Sequence, residues 1–190
     1  MKLWLARHAA PLAPAGLCYG ATDLAAEGGA TLRAAQGLAA AVPAAVAVRS
    51  SPLRRCRQLA EALQVLRPDL AARTDARLRE MDFGTWEGQR WEAIGRDRFD
   101  LWMADFAQHR CGGGESVADL MARVAPALEE ARAGGQDVLW ITHAGVARAV
   151  RLLVRGVALP RAAADWPLEG LAFGAWESLA LVPRVDPVGR

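Results

Sequence analysis

Two rhythms of apolar positions run through the chain: short unbroken runs, and longer stretches with the three-to-four spacing of a helix face. Leu3-Trp4-Leu5-Ala6 is the first unbroken run and predicts a strand that ends in Arg7-His8-Ala9. Residues 46–48 predict a second buried strand, and residues 69–79 a third strand and a turn. Residues 137–142 (DVLWIT) predict another strand, ending in His143-Ala144-Gly145. Residues 175–182 predict a last, edge strand, with a tail from Pro183 onward.

The helical spacing lies between these runs. Residues 27–42 are rich in Ala and Leu and predict a helix that Pro43 ends, although Gly28, Gly29 and Gly37 weaken it. Ser51 can cap the next helix and Pro52 fits its first position. Leu53, Cys56, Ala60 and Leu63 form its apolar face; Arg54, Arg57, Glu61 and Gln64 turn outward. Ser116 and Asp119 resemble a capping box ahead of the stripe Val117, Leu120, Met121, Val124 and Leu128. Pro126 predicts a kink there and Gly134-Gly135 a stop. A further helix is expected over residues 146–155.

Prolines and glycines mark residues 9–24 as loop, and residues 160–166 read the same way. From about residue 82 to 114 the pattern loosens. That stretch carries Trp86, Trp91, Phe99, Trp102 and Phe106 on two expected short helices and reads as a lid-like excursion from the sheet. Strands alternating with helices define an α/β protein. The expectation is a three-layer α/β/α sandwich, one domain over residues 1–190, its sheet mostly parallel with an antiparallel edge strand.

Composition changes this picture little. The formal net charge is +2, so no global charge draws the chain to nucleic acid or to acidic membranes. Cys18, Cys56 and Cys111 are odd in number and widely spaced, which fits neither a disulfide framework nor a zinc site. A reducing cytoplasm is the expected location. The apolar run before Arg7 is too short for a signal peptide, and no stretch approaches membrane-spanning length.

The candidate chemistry sits where strands end. Phosphoryl transfer needs a nucleophile that can carry the group, and a neutral imidazole qualifies. It needs fixed cationic donors for the oxygens, which arginine supplies as a planar fork. It needs a carboxyl group to protonate the leaving oxygen and then activate water. His8, Arg7, Arg55, His143 and Glu80 offer this set. Neighbouring arginines are expected to disfavour protonation of His8 and so keep it a nucleophile. His109 lacks such surroundings and reads as a loop histidine. The glycines at 112–114 precede no Lys-Ser/Thr pair, so they are not a P-loop. Glu87 and Asp82 read as structural. The tryptophans of the excursion read as lid core, with a stacking surface for an aromatic base as the second reading.

Five segments in order resemble the histidine phosphatase superfamily, which includes the cofactor-dependent phosphoglycerate mutases. They are residues 5–9 (LARHA), 50–58 (SSPLRRCRQ), 78–88 (LREMDFGTWEG), 114–116 (GES) and 141–145 (ITHAG). The resemblance implies a phosphoglycerate mutase-like fold, with His8 as the phosphorylated nucleophile flanked by Arg7. It implies Arg55 as the phosphate-holding arginine, Glu80 as proton donor and His143 as the second pocket histidine. No metal and no cofactor is implied, and the partner is a small phosphorylated metabolite; a homodimer stays open. Ala9 and Ala144 stand where the family has glycine, so a methyl group would face a phosphate oxygen wherever the backbone approaches closely. Ala144 and Tyr19 join the candidate phosphate-contacting residues. Residues 16–23 (GLCYGATD) are similar to a segment of α-ribazole-phosphate phosphatases of cobalamin assembly. A mutase, a phosphatase of phosphohistidine proteins and a silent phospho-ligand binding module are the alternative readings.

Overall fold

The computed structural model describes residues 1–182; the tail expected from Pro183 lies outside them. Five strands form one sheet: β1 (Lys2–Arg7), β2 (Ala47–Ser50), β3 (Ala72–Thr74), β4 (Val138–Thr142) and β5 (Trp176–Ala180), in the order β3-β2-β4-β1-β5. All neighbouring pairs are parallel except β1 with β5, which is the antiparallel edge. β4 lies between β1 and β2 and is buried along its whole length, as a parallel strand covered on both faces must be.

Side chains alternate between the faces. Leu3, Leu5, Val138 and Trp140 join one core; Ala6, Leu139 and Ile141 join the other. The second core is closed by α1 (Gly28–Ala41) and α2 (Arg54–Leu66), through Leu38, Leu59 and Leu63. The first is closed by α4 (Val117–Ala133) and α5 (Ala144–Val154), through Leu120, Val124 and Val150. The result is the expected α/β/α layering. Leu5 is fully buried, so its truncation to Ala costs about 2–5 kcal/mol.

The helix ends follow the sequence in most places. Ser116 and Asp119 complete a reciprocal capping box on α4, which runs on through Pro126 and stops at Gly134, before Gly135 at φ +66°. α1 is capped by the Glu27 carboxylate, which accepts from the amides of Gly29 and Ala30. Three boundaries differ from expectation. β2 extends to Ser50 because its ladder with β4 continues to the pair Ser50–Ile141. α5 starts at Ala144, immediately after His143, two residues earlier than expected. α2 starts at Arg54, so Ser51 is not its cap; the Arg54 amide is instead held by the distant Asp23 carboxylate at 2.5 Å.

The excursion holds one α-helix, α3 (Arg96–Ala104), and short 3-10 turns at 84–86, 91–93 and 111–113, where two short helices were expected. Gly84, Gly88, Gly112 and Gly113 take positive φ there, which breaks regular helix. Gly84 and Gly112 also let the two backbones touch: a Cβ on Gly84 would lie 2.3 Å from the Gly112 carbonyl oxygen. Contacts among Trp86, Phe99, Trp102 and Phe106 extend the first core into the excursion.

Candidate active site

Sheet register assembles the site. Arg7 pairs with Thr142 across β1 and β4, so the next residue of each strand is a histidine at the same level. The His8 amide donates to the Thr142 carbonyl at 3.2 Å, and the two imidazole centroids lie 5.0 Å apart. β2 ends one step away: the Ser51 amide donates to the Ile141 carbonyl, and the chain turns into α2, whose second residue is Arg55. The carboxyl ends of three parallel strands therefore meet where β4 is inserted between β1 and β2, the place where open α/β sheets build sites.

His8 is buried, and its Nδ1 lies 2.7 Å from the Ala9 carbonyl oxygen. A carbonyl only accepts, so Nδ1 carries the proton and Nε2 the lone pair. Arg55 Nε donates to that Nε2 at 3.2 Å. Burial pushes the His8 imidazole down to about 3, and Arg55 and then Arg7 add to that against the opposing Ala9 carbonyl. Expectation assigned this to the arginines; burial is the larger cause. His143 is fully buried and held well below the usual imidazole range by burial first, then by His8 and Arg55. Its Nε2 shares a 2.8 Å hydrogen bond with Ser51 Oγ and lies 3.4 Å from Cys56 Sγ.

Two guanidinium groups border His8. Arg55 has no exposed surface, and its terminal nitrogens donate to the carbonyls of Thr22 and Gly20 at 2.7 and 2.6 Å. Three of its five N–H groups are thus used within the protein, and two remain for a ligand. Arg7 Nη1 donates to the Leu171 carbonyl, while its buried Nε has no hydrogen-bond partner among the described residues. A buried donor left without an acceptor fits an oxyanion. Tyr19 stands between the two cations, which pull its phenol down without overcoming the burial that raises it.

The loop that accepts from Arg55 is itself anchored. Glu87 accepts from the amides of Ala21, Thr22 and Phe83 and from the Thr22 hydroxyl. Burial acts to raise the Glu87 carboxyl, and these donors outweigh it and leave it lowered. The Gly88 amide donates to the Cys18 carbonyl, and the Cys18 amide to that of Gln89. Gly20 passes against Met81, where a Cβ would lie 1.8 Å from a carbonyl oxygen. Two segments far apart in sequence, 18–23 and 84–89, therefore form one brace behind Arg55.

Glu80 approaches the N-terminus of α5. Its Oε2 accepts from the Gly145 amide at 3.1 Å and its Oε1 from the Met81 amide at 3.0 Å. A Cβ on Gly145 would lie 2.2 Å from Oε1, so this approach requires glycine there. Arg123, on α4, fixes the Glu80 backbone: it donates to the carbonyls of Arg77, Arg79 and Glu80. Glu115 grips Arg123 with both oxygens, at 2.8 and 2.9 Å, and also accepts from the Asp82 amide.

The structure brings His8, His143, Arg7, Arg55, Tyr19 and Glu80 to one end of the sheet, and Ala144 is the first residue of α5 beside them. The close approach seen at the start of α5 is between Gly145 and Glu80. Three participants escaped the sequence reading. Ser51 was read as a helix cap and touches His143. Arg123 was an outward helical residue with no local signal for its three carbonyl partners. Phe173 lies in a segment with no pattern, and its ring covers the Arg7 guanidinium at 3.7 Å and the His8 ring at 5.6 Å.

A strand-end imidazole whose Nε2 lone pair faces Arg55, a second cation beside it and a carboxylate nearby are the groups that phosphoryl transfer requires. The chain belongs to the histidine phosphatase superfamily (branch 1), which residues 3–170 match. It is 34% identical over 147 residues to the glucosyl-3-phosphoglycerate phosphatase of Mycobacterium tuberculosis, a match covering 69% of this chain and 62% of that one. The chain spans about three-fifths of the length of the curated relatives it matches. A structure of mycobacterial glucosyl-3-phosphoglycerate phosphatase superposes with a TM-score of 0.79 at 27% identity, covering 93% of this chain and 88% of that one. The protein TTHB049 from Thermus thermophilus superposes with a TM-score of 0.72 at 30% identity, covering 94% and 93%. None of these relatives is named for α-ribazole phosphate. Among the described residues no helix is long and apolar enough to cross a membrane.

Proposed function

We propose that this chain hydrolyses phosphomonoesters through a phosphoryl group carried on His8. The observation that carries the reading is the single arrangement at His8: Nδ1 engaged by Ala9, which leaves the lone pair on Nε2, and Arg55 Nε donating to that lone pair. The Nε2 lone pair attacks phosphorus, and the bond from phosphorus to the ester oxygen breaks. Glu80, as the acid, gives its proton to the departing alkoxide. A water then attacks the phosphorus, Glu80 takes one of its protons, and the N–P bond breaks to return neutral His8 and release phosphate. Arg7, Arg55 and His143 hold the phosphoryl oxygens in both steps, with Tyr19 and the Ala144 end of α5 at their border. The charge that spreads over those oxygens is met by guanidinium groups fixed before the reaction, so the scheme calls for no metal.

The specific substrate proposed is α-ribazole 5′-phosphate, on the likeness carried by residues 16–23. Four of those residues, Cys18, Gly20, Thr22 and Asp23, have direct parts in bracing Arg55 and α2. The test of the class is phosphate release from an aryl phosphate in excess EDTA, wild type against His8→Ala. Activity that survives chelation and vanishes in the variant supports the scheme. Activity unchanged in the variant sinks it. Phosphate bound tightly by the wild type without turnover would support a binding module instead.

A further inference from the structure

A cavity of about 380 Å³ opens beside Glu80. Glu80 and Gly145 form its inner wall, so it begins at the group that receives the leaving oxygen. Beyond them the lining is apolar and aromatic: Phe83, Trp91, Trp102 and Phe106 from the excursion, and Trp166 from the opposite side. The lining also holds the guanidinium of Arg148. Its Nε donates to the Pro167 carbonyl and its Nη2 to the Leu168 carbonyl, which holds the rim in place. Leu168 at that rim is 90% exposed, and Met103 across it 44%.

We infer that this cavity receives a large, flat body on the leaving alcohol, and that the protein selects phosphomonoesters carrying one. The inference rests on the phosphatase reading and adds the chemical class of the substrate. A cavity of this size with aromatic walls stabilises such a body by removing it from water and by ring contact. A small alcohol would leave most of that aromatic wall uncovered and gain little from it. The substrate thus spans two environments, with its phosphoryl group among cations and its alcohol among aromatic rings, and Glu80 at the junction.

The test uses unactivated alkyl phosphates, so that leaving-group acidity does not decide the outcome: 2-(1-naphthyl)ethyl phosphate, propyl phosphate and O-phosphoserine. The expected ratio of kcat/KM, naphthylethyl over propyl, is on the order of a hundredfold in the wild type. Leu168→Glu, which places a charge at the exposed rim without touching the core, lowers that ratio about tenfold. Calorimetric binding of the same three compounds to His8→Ala repeats the comparison without turnover. Equal turnover and equal binding of the naphthylethyl and propyl esters overturn the inference and leave the phosphatase reading standing. A preference for O-phosphoserine also overturns it. Selective binding of the naphthylethyl ester by a wild type that hydrolyses none of the three supports the cavity and overturns the phosphatase reading.

Discussion

The strand-end pocket and the aromatic excursion meet at Glu80, yet they are built on opposite plans. In the pocket Arg7, His8, Arg55 and His143 end or follow a strand or open a helix, and sheet register sets their positions. The residues are small in number, buried, and tied to named backbone groups: His8 to Ala9, Arg55 to Gly20 and Thr22, Glu80 to Met81 and Gly145. In the excursion, 3-10 turns and positive-φ glycines replace regular ladders, and aromatic rings hold one another. The contrast separates tasks. Regular elements position the nucleophile and the cations, while the excursion lines the neighbouring cavity and, through Glu87, holds the loop behind Arg55. Substitutions of the strand-end residues should therefore act on kcat, and those of the cavity-lining rings on the choice of substrate.

The largest effect that tests this division is at Glu80. Glu80→Gln removes the proton donor, and kcat for an alkyl phosphate should fall by about 10²–10⁴-fold. The fall should be smaller for an aryl phosphate, whose oxygen leaves with less help. Steady-state kinetics on the two substrates checks it; an equal loss on both would place Glu80 outside the proton transfer.

Next comes the adjacent pair at the start of α5. Gly145→Ala puts a methyl group where Glu80 Oε1 lies and should lower kcat by roughly ten- to a hundredfold through misplacement of the acid. Ala144→Gly relieves no such contact and should change kcat less than about threefold. The reverse order would assign the close approach to Ala144.

These two predictions show what the sequence carried. Arg7, His8 and His143 were legible because they end or follow apolar strands, and strand ends converge in this fold; Arg55 and Glu80 were singled out by the family-like segments around them. The convergence of these residues was thus visible from local pattern, topology and resemblance together. Ser51, Arg123 and Phe173 were not. Ser51 satisfied a local rule for helix caps that tertiary contact with His143 overrode, and Asp23 took the capping task across the loop. Arg123 gains its meaning from the carbonyls of a segment more than forty residues away. The excursion showed its aromatic content but not its turns, since those depend on glycines whose backbones meet only in three dimensions.

Smaller in effect is the brace behind Arg55. Glu87→Gln keeps the shape of the side chain and turns one acceptor oxygen into a donor that faces backbone N–H groups. Competitive inhibition by inorganic phosphate should weaken by about tenfold while the melting temperature falls only a few degrees. An unchanged inhibition constant would make the brace structural alone.

A separate effect, on folding and not on turnover, is the dependence of stability on pH. The unfolded chain protonates His8 below about 6.5, while the folded protein resists until about 3. The unfolded state therefore binds more protons in that window, and stability rises with pH across it. His143 acts with the same sign. Below pH 6.5 each contributes a loss approaching about 1.4 kcal/mol per pH unit. Urea unfolding at pH 7 and pH 5 should show this, and His8→Asn should make the slope shallower. A slope unaffected by that variant would mean that His8 is not held neutral.

The most direct test of the central claim is to trap the intermediate. Wild-type protein would be mixed with excess substrate, quenched in base within the first turnovers, and analysed by intact and peptide mass spectrometry. The account predicts one added phosphoryl group on the peptide containing His8, stable in base and lost in acid, and none in His8→Ala. A phosphoryl group on another residue, or turnover in which no phosphoenzyme ever forms, would contradict it.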